Sequence, residues 1–220
     1  MFISNLISQL FATNSLQFWW YLTRAAGLAG YFLLWLSTAW GMVVSSKILD
    51  SIVERAFTYD FHEYLSLLGL GFIFVHVVVL IADQYLPYSI WQVIIPFLSP
   101  YRPVWVGIGV IAFYLSLLVT ITYYLRTRIG MAAFRKIHYL SLVGYVGATL
   151  HGLYAGTDSV LPIANILYKG TFLITLFLVV YWVVILWMRK QEEEKKRLEE
   201  LRAALRKKGK RPTASHKLIA

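Results

Sequence analysis

Residues 59–82 read YDFHEYLSLLGLGFIFVHVVVLIA, an apolar run interrupted by His62 and His76, fourteen positions apart. Residues 131–155 read MAAFRKIHYLSLVGYVGATLHGLYA, with His138 and His151 thirteen positions apart. Each run is long enough to cross a hydrocarbon core of about 30 Å at a rise of about 1.5 Å per residue. Working outward, comparable runs occupy Phe18–Val44, Val104–Leu125 and Thr171–Met188. Such runs must be helical in lipid, because no water is there to satisfy an open backbone. The expected fold is therefore all-α: an integral membrane bundle of five transmembrane helices plus a cytoplasmic helical tail. Its expected segments are an interfacial stretch over 1–16, a transmembrane domain over 17–188 and a basic tail over 189–220. The first stretch is too short to span, and it lacks the basic start of a signal peptide.

Composition agrees with a membrane class. The 220 residues are 59% hydrophobic and 15% charged, where a soluble domain carries about 25% charged residues. A soluble enzyme is excluded. The absence of cysteine excludes disulfides, thiolate metal sites, iron–sulfur clusters and covalent C-x-x-C-H haem attachment. A formal charge of +10 suggests nucleic acid until it is located. Residues 189–220 hold 12 Lys/Arg against 5 Asp/Glu, so the tail supplies +7 of it. Anionic lipids are the expected partner of that tail, and nucleic acid is not.

Loop charges set the expected direction. Lys47, Arg55, Arg126, Arg128, Arg135, Lys136, Arg189 and Lys190 fall on one side; Arg102 and Lys169 fall on the other. This places the N-terminus outside and the C-terminus in the cytoplasm, in a plasma or inner membrane. Trp19, Trp20, Trp91 and Trp105 fit an outer aromatic belt, and Trp182 and Trp187 an inner one. The outer loops Asp83–Pro103 and Gly156–Lys169 read as compact caps. Gln191–Lys208 reads as a helix extending the fifth span, with Glu192/Lys196 and Glu193/Arg197 pairs and a narrow Leu198, Leu201, Leu205 stripe.

Four of the five histidines lie inside spans, where ionisable groups are costly and point to function. The second and fourth spans run in the same direction. His62 and His138 therefore share one depth, and His76 and His151 the other, about 20 Å apart along the helices. One shared metal site is impossible at that distance. A bare zinc or copper site wants three or four ligands at one level, whereas each level offers two imidazoles. Two trans imidazoles are what a non-covalent, six-coordinate haem iron needs. Gly69, Gly71, Gly144, Gly147 and Gly152 are expected to give a flat macrocycle room, although small residues also promote ordinary helix packing. One point stays open: a thirteen-residue interval lands about 140° around an ideal helix. Either the fourth helix is distorted or its ligands face different sides.

The H-x13-H span, followed two spans later by H-x12-H, is similar to the haem-binding core of ferric reductases and NADPH oxidases. The run Trp20–Lys47, with Thr23-Arg24-Ala25-Ala26-Gly27, resembles the span preceding that family's first haem helix, and His151-Gly152 matches its second outer ligand. The resemblance covers roughly Trp20 to Met188. It implies two haem b groups, an inner one on His62 and His138 and an outer one on His76 and His151. For Arg24, near the depth of His76 and His151, the alternatives are snorkelling to the outer interface and contact with a propionate or the reduced acceptor; the resemblance implies the second, which would make it the catalytic residue. Six-helix family members have a further N-terminal span and a fused flavin dehydrogenase. Neither G-x-G-x-x-G nor a βαβ pattern follows residue 188, so no flavin or nicotinamide site is expected and the donor would be a cytoplasmic flavin/NAD(P)H reductase.

Arg128, Arg135 and Lys136 are candidate propionate partners at the inner level, or simply positive-inside residues. Tyr145 reads as a buried packing aromatic, and His216 as a solvated tail residue. The expected function is electron transfer through two b haems to an outer acceptor: ferric iron, dioxygen or an extracytoplasmic redox protein. A quinol-linked cytochrome b and a non-redox membrane scaffold are the competing readings.

Overall fold

The computed structural model describes residues 15–46, 53–82 and 88–209, with side chains from Phe18 to Arg206 within those ranges. The expected interfacial segment lies outside them except for Ser15 and Leu16, which open the first helix; Lys47 and His216 also lie outside. Every regular element among the described residues is helical. In chain order these are α1 (Ser15–Ser46), α2 (Arg55–Ala82), α3 (Ile90–Ile94), α4 (Pro103–Tyr124), α5 (Arg126–Ile129), α6 (Met131–His138), α7 (Leu140–Tyr154) and α8 (Pro162–Gly209), with a 3₁₀ turn at Thr157–Val160.

Four of these helices are long and apolar enough to cross a membrane: α1, α2, α4 and α8. The expected count of five is therefore corrected to four. The expected fourth span is two helices of eight and fifteen residues that meet at Tyr139. There the Tyr139 N–H reaches the Arg135 carbonyl at only 3.4 Å, and the Leu142 N–H bonds three residues back to the Tyr139 carbonyl. That tightened turn interrupts the regular four-residue ladder. Upstream, Gly130 caps the start of α6 at φ 84°, a conformation natural to glycine.

The second expected loop is also shorter than the sequence suggests. Pro162 takes the first turn of α8, where its missing N–H costs nothing, so only Ala155–Leu161 links α7 to α8. The helix beyond the fifth apolar run is present as expected and reaches Gly209.

The chain divides into two compact units at Leu178/Val179. In the first unit, α1 packs antiparallel to α2 and α4 packs antiparallel to α7. Small residues set both seams. Gly30 of α1 abuts Ile73, Gly69 of α2 abuts Leu33 and Leu34, and Gly144 and Gly147 of α7 abut Leu115 and Ala112 of α4. Without a water-driven hydrophobic effect in lipid, close backbone approach of this kind supplies the packing energy. Between the seams, Tyr31, Tyr145, Ala164 and Tyr168 form a buried cluster. Tyr145 is fully buried, as a packing aromatic should be. The Tyr31 hydroxyl lies 2.6 Å from Thr171 Oγ1, 3.3 Å from Thr149 Oγ1 and 3.4 Å from Tyr145 Oη, so the buried phenol is satisfied. In the second unit, Leu198, Leu201 and Leu205 are exposed.

Candidate functional site

The two matched depths are realised as two histidine pairs. The ring centres of His62 and His138 are 6.0 Å apart with planes at 75°. Those of His76 and His151 are 6.4 Å apart with planes at 76°. A metal–imidazole bond is about 2.0–2.1 Å, and a five-membered ring with bonds near 1.33 Å has a radius of about 1.1 Å. Two imidazoles trans on one iron therefore have centres about 6.3 Å apart, which both pairs match. The break at Tyr139 falls between His138 and His151, so the distorted-helix alternative is the one realised.

Hydrogen bonds then decide which ring nitrogen is available. His76 Nδ1 lies 2.8 Å from the Thr23 carbonyl and His151 Nδ1 lies 3.0 Å from the Trp105 carbonyl. A carbonyl only accepts, so each Nδ1 carries the proton and Nε2 keeps its lone pair for a metal. His62 Nδ1 lies 3.3 Å from Ser37 Oγ, which is 2.7 Å from Ser66 Oγ; Ser66 in turn donates to the His62 carbonyl. His138 Nδ1 is buried with no partner.

The rings also have room built for them. A Cβ added at Gly27 would sit 2.9 Å from His76 Nδ1, one at Gly41 3.0 Å from His62 Cε1, and one at Gly109 2.5 Å from His151 Nδ1. These three glycines lie on the facing helices α1 and α4. The glycines expected to make room for a macrocycle do other things: Gly69, Gly144 and Gly147 pack helices, Gly71 meets nothing, and Gly152 lies against Tyr168. A signal for two of the seats was present, because Gly27 and Gly41 repeat on α1 the fourteen-residue interval of His62 and His76 on α2.

The His76–His151 pair opens onto a cavity of about 550 Å³ lined also by Gly27, Gly109, Tyr31 and Tyr168, within the ~300–1,000 Å³ range of cofactor and ligand sites. Arg24 is in its wall, as expected from its depth, but already has protein partners. Its guanidinium pairs with Asp158, donates to Thr157 and lies 3.2 Å from the centre of the Trp20 ring. Neither Thr157 nor Asp158 is evident from the sequence as a partner, being over 130 positions away. The Thr23 hydroxyl, also in the wall, is a buried polar group with no partner. Residues 88–102 fasten this end: Tyr101 and Arg102 donate to the Ala155 and Tyr154 carbonyls at the end of α7, and Trp105 stacks on Tyr154 with centres 4.2 Å apart.

At the other pair, Glu63 accepts from Tyr123 at 2.9 Å and from Tyr124 at 2.6 Å, tying α2 to the end of α4. Tyr123 contacts Phe134, whose ring centre is 5.2 Å from that of His138. Arg128, Arg135 and Lys136 are exposed on α5 and α6, beside this pair in sequence but outside the cavity lining. Among the described residues no group of three or more His, Cys, Asp or Glu could hold a bare metal ion. At the His76–His151 level, imidazoles at iron-spanning distance, Nδ1 protons tied back to carbonyls, rings seated over glycine and an adjoining cavity together fit a non-covalent haem; at the other level the ring spacing is alike, but only His62 has a glycine seat. The chain matches no protein-family model, no curated protein and no solved structure.

Proposed function

We propose that this membrane protein carries electrons through two b-type haems, His62 and His138 holding one and His76 and His151 the other. The observation that carries this reading is the pair of ring separations, 6.0 and 6.4 Å, with the outer Nδ1 atoms committed to carbonyls. Bound haem supplies one-electron chemistry at its iron. The chain holds the imidazoles, keeps water from them with apolar helices and closes the cavity wall with the Arg24–Asp158 pair. The paired histidines run α6–α7 alongside α2 over the same depth. That segment consists of two helices of eight and fifteen residues. Lys/Arg placement then sets the His62–His138 site toward the cytoplasm, where a flavin/NAD(P)H reductase partner donates. The His76–His151 site faces an outer acceptor, and the basic tail rests near anionic lipid.

The test is an absorption spectrum of purified protein with haem-to-chain stoichiometry. Two bis-imidazole haems per chain are expected. His76→Ala and His151→Ala should each remove the same haem, and His62→Ala the other. Colourless protein overturns the reading, as does full haem content in both His76→Ala and His151→Ala.

A further inference from the structure

The segment that joins α2 to α4 has two unlike sides. From Tyr88 to Tyr101 it carries no charged residue. Its inner side is tied to the bundle. Tyr88, Val93 and Ser99 are buried, Phe97 lies against Gly107 of α4, and Tyr114 of α4 donates to the Ile94 carbonyl. Phe97 holds φ 67°, a left-handed conformation that a bulky residue keeps only where its surroundings force it. Tyr88, Val93 and Tyr101 also wall the His76–His151 cavity. The outer side is the reverse: Ile90, Trp91, Ile94, Ile95 and Leu98 are all exposed.

Three observations say what covers that side. The segment joins two spanning helices whose ends beside it themselves expose Val78, Ile81 and Val104. Its backbone is satisfied without water. The N–H groups of Ser89, Gln92, Ile95, Leu98 and Tyr101 all find acceptors within the segment, and Pro96, Pro100 and Pro103 have none to satisfy. Lipid contact demands such internal pairing, because it offers the backbone no partners. The face is also poor in what a protein partner reads. Protein interfaces carry about one hydrogen bond per 100–200 Å². Between Ile90 and Leu98 the polar side chains are the Trp91 indole and Gln92, whose Oε1 already accepts from the Ser89 N–H.

We propose that Ile90–Leu98 is a lipid-seated cap at the His76–His151 end of the bundle. It sits in the interfacial zone of that leaflet, and its exposed apolar side chains reach about 5–10 Å into the headgroup–acyl boundary. The partner is the lipid surface itself, without headgroup selection, since the segment has no charge to select with. One consequence follows for the cavity. The wall made by Tyr88, Val93 and Tyr101 is backed by lipid, so water does not enter from that side. The placement of the cap is independent of the haem reading.

The test uses nitroxide labels on single introduced cysteines, which report alone because the chain has no native cysteine. Full-length Ile90→Cys, Ile94→Cys and Leu98→Cys proteins are reconstituted in phosphatidylcholine vesicles. Spin relaxation by dissolved oxygen is compared with relaxation by a water-soluble nickel chelate. Exposed Val78 on α2 and exposed Glu199 on α8, each changed to Cys, calibrate lipid and water. Their oxygen-to-nickel ratios should differ about tenfold or more, because apolar surroundings exclude a polar chelate. The cap labels should fall nearer the Val78→Cys ratio. Values nearer Glu199→Cys overturn the inference and make the cap a water-facing loop. Immobilised labels that meet neither reagent also overturn it, since they place a protein partner or a second copy on the face. If the cysteine variants do not accumulate, Trp91 decides. Brominated phosphatidylcholine should quench the emission difference between the native chain and Trp91→Phe, and an unquenched difference overturns the inference. Neither readout uses haem, so colourless protein with lipid-seated labels removes the proposed function and leaves the cap standing.

Discussion

Gly109→Ala tests whether the outer site depends on the fit between α4 and His151. The added Cβ would lie 2.5 Å from His151 Nδ1, 2.7 Å from Cγ and 2.9 Å from Cε1. Non-bonded atoms pack best at about 3.5–4.0 Å, so the ring must retreat by about 1 Å. That retreat stretches the 3.0 Å bond to the Trp105 carbonyl beyond hydrogen-bonding range. A buried N–H left unmade costs about 1–3 kcal/mol, and overpacking adds about 1–3 kcal/mol. Each ~1.4 kcal/mol is tenfold in affinity, so the outer haem should fall at least tenfold in retention. Gly27→Ala, with its nearest contact at 2.9 Å, should follow at smaller amplitude. Gly71→Ala is the control, because nothing lies within 4 Å of its added Cβ; it should be neutral or stabilising by about 0.5–1 kcal/mol. Haem per chain after detergent washing and the thermal midpoint by absorbance read out all three. Gly109→Ala with wild-type outer-haem retention, indistinguishable from Gly71→Ala, would refute the seat.

Two further perturbations probe the wall of the cavity and the direction of the chain. Arg24→Gln should lower the outer-haem potential, because it removes a cation and leaves the Asp158 carboxylate uncompensated; Asp158→Asn should raise it. The double variant should return near wild type in redox titration, with a stability coupling of about 1 kcal/mol for this part-buried pair, and shifts of the same sign in both single variants would refute an electrostatic pair. For direction, the chain has no native cysteine, so single introduced cysteines report cleanly. Ser159→Cys should react with an impermeant maleimide added to intact cells and Ala203→Cys should not, and the reverse pattern would invert the proposed electron flow.

The sequence carries the helices and the pairing depths because both follow from one-dimensional regularities. Apolar length makes the spans, and the number of residues along parallel helices sets each histidine's level. What it does not carry is the identity of neighbours. The ring-seating glycines lie on α1 and α4, and only the antiparallel register reveals which glycine meets which histidine. Arg24 meets Asp158 through the link between α7 and α8, a contact that no local pattern encodes. The break at Tyr139 has neither proline nor glycine to announce it. Its only trace is the geometric mismatch, since an unbroken helix would present His138 about 140° from the face of His151. The structure reconciles the two by interrupting the helix directly after His138, which frees α6 to bring that ring to His62. The same interruption has a chemical consequence. Along α7 the register with α4 is kept, so His151 meets a glycine and an open carbonyl, whereas His138, the last residue of short α6, has a buried Nδ1 with no partner. The geometry that completes the second pair is therefore also what leaves one of its ring nitrogens unsatisfied.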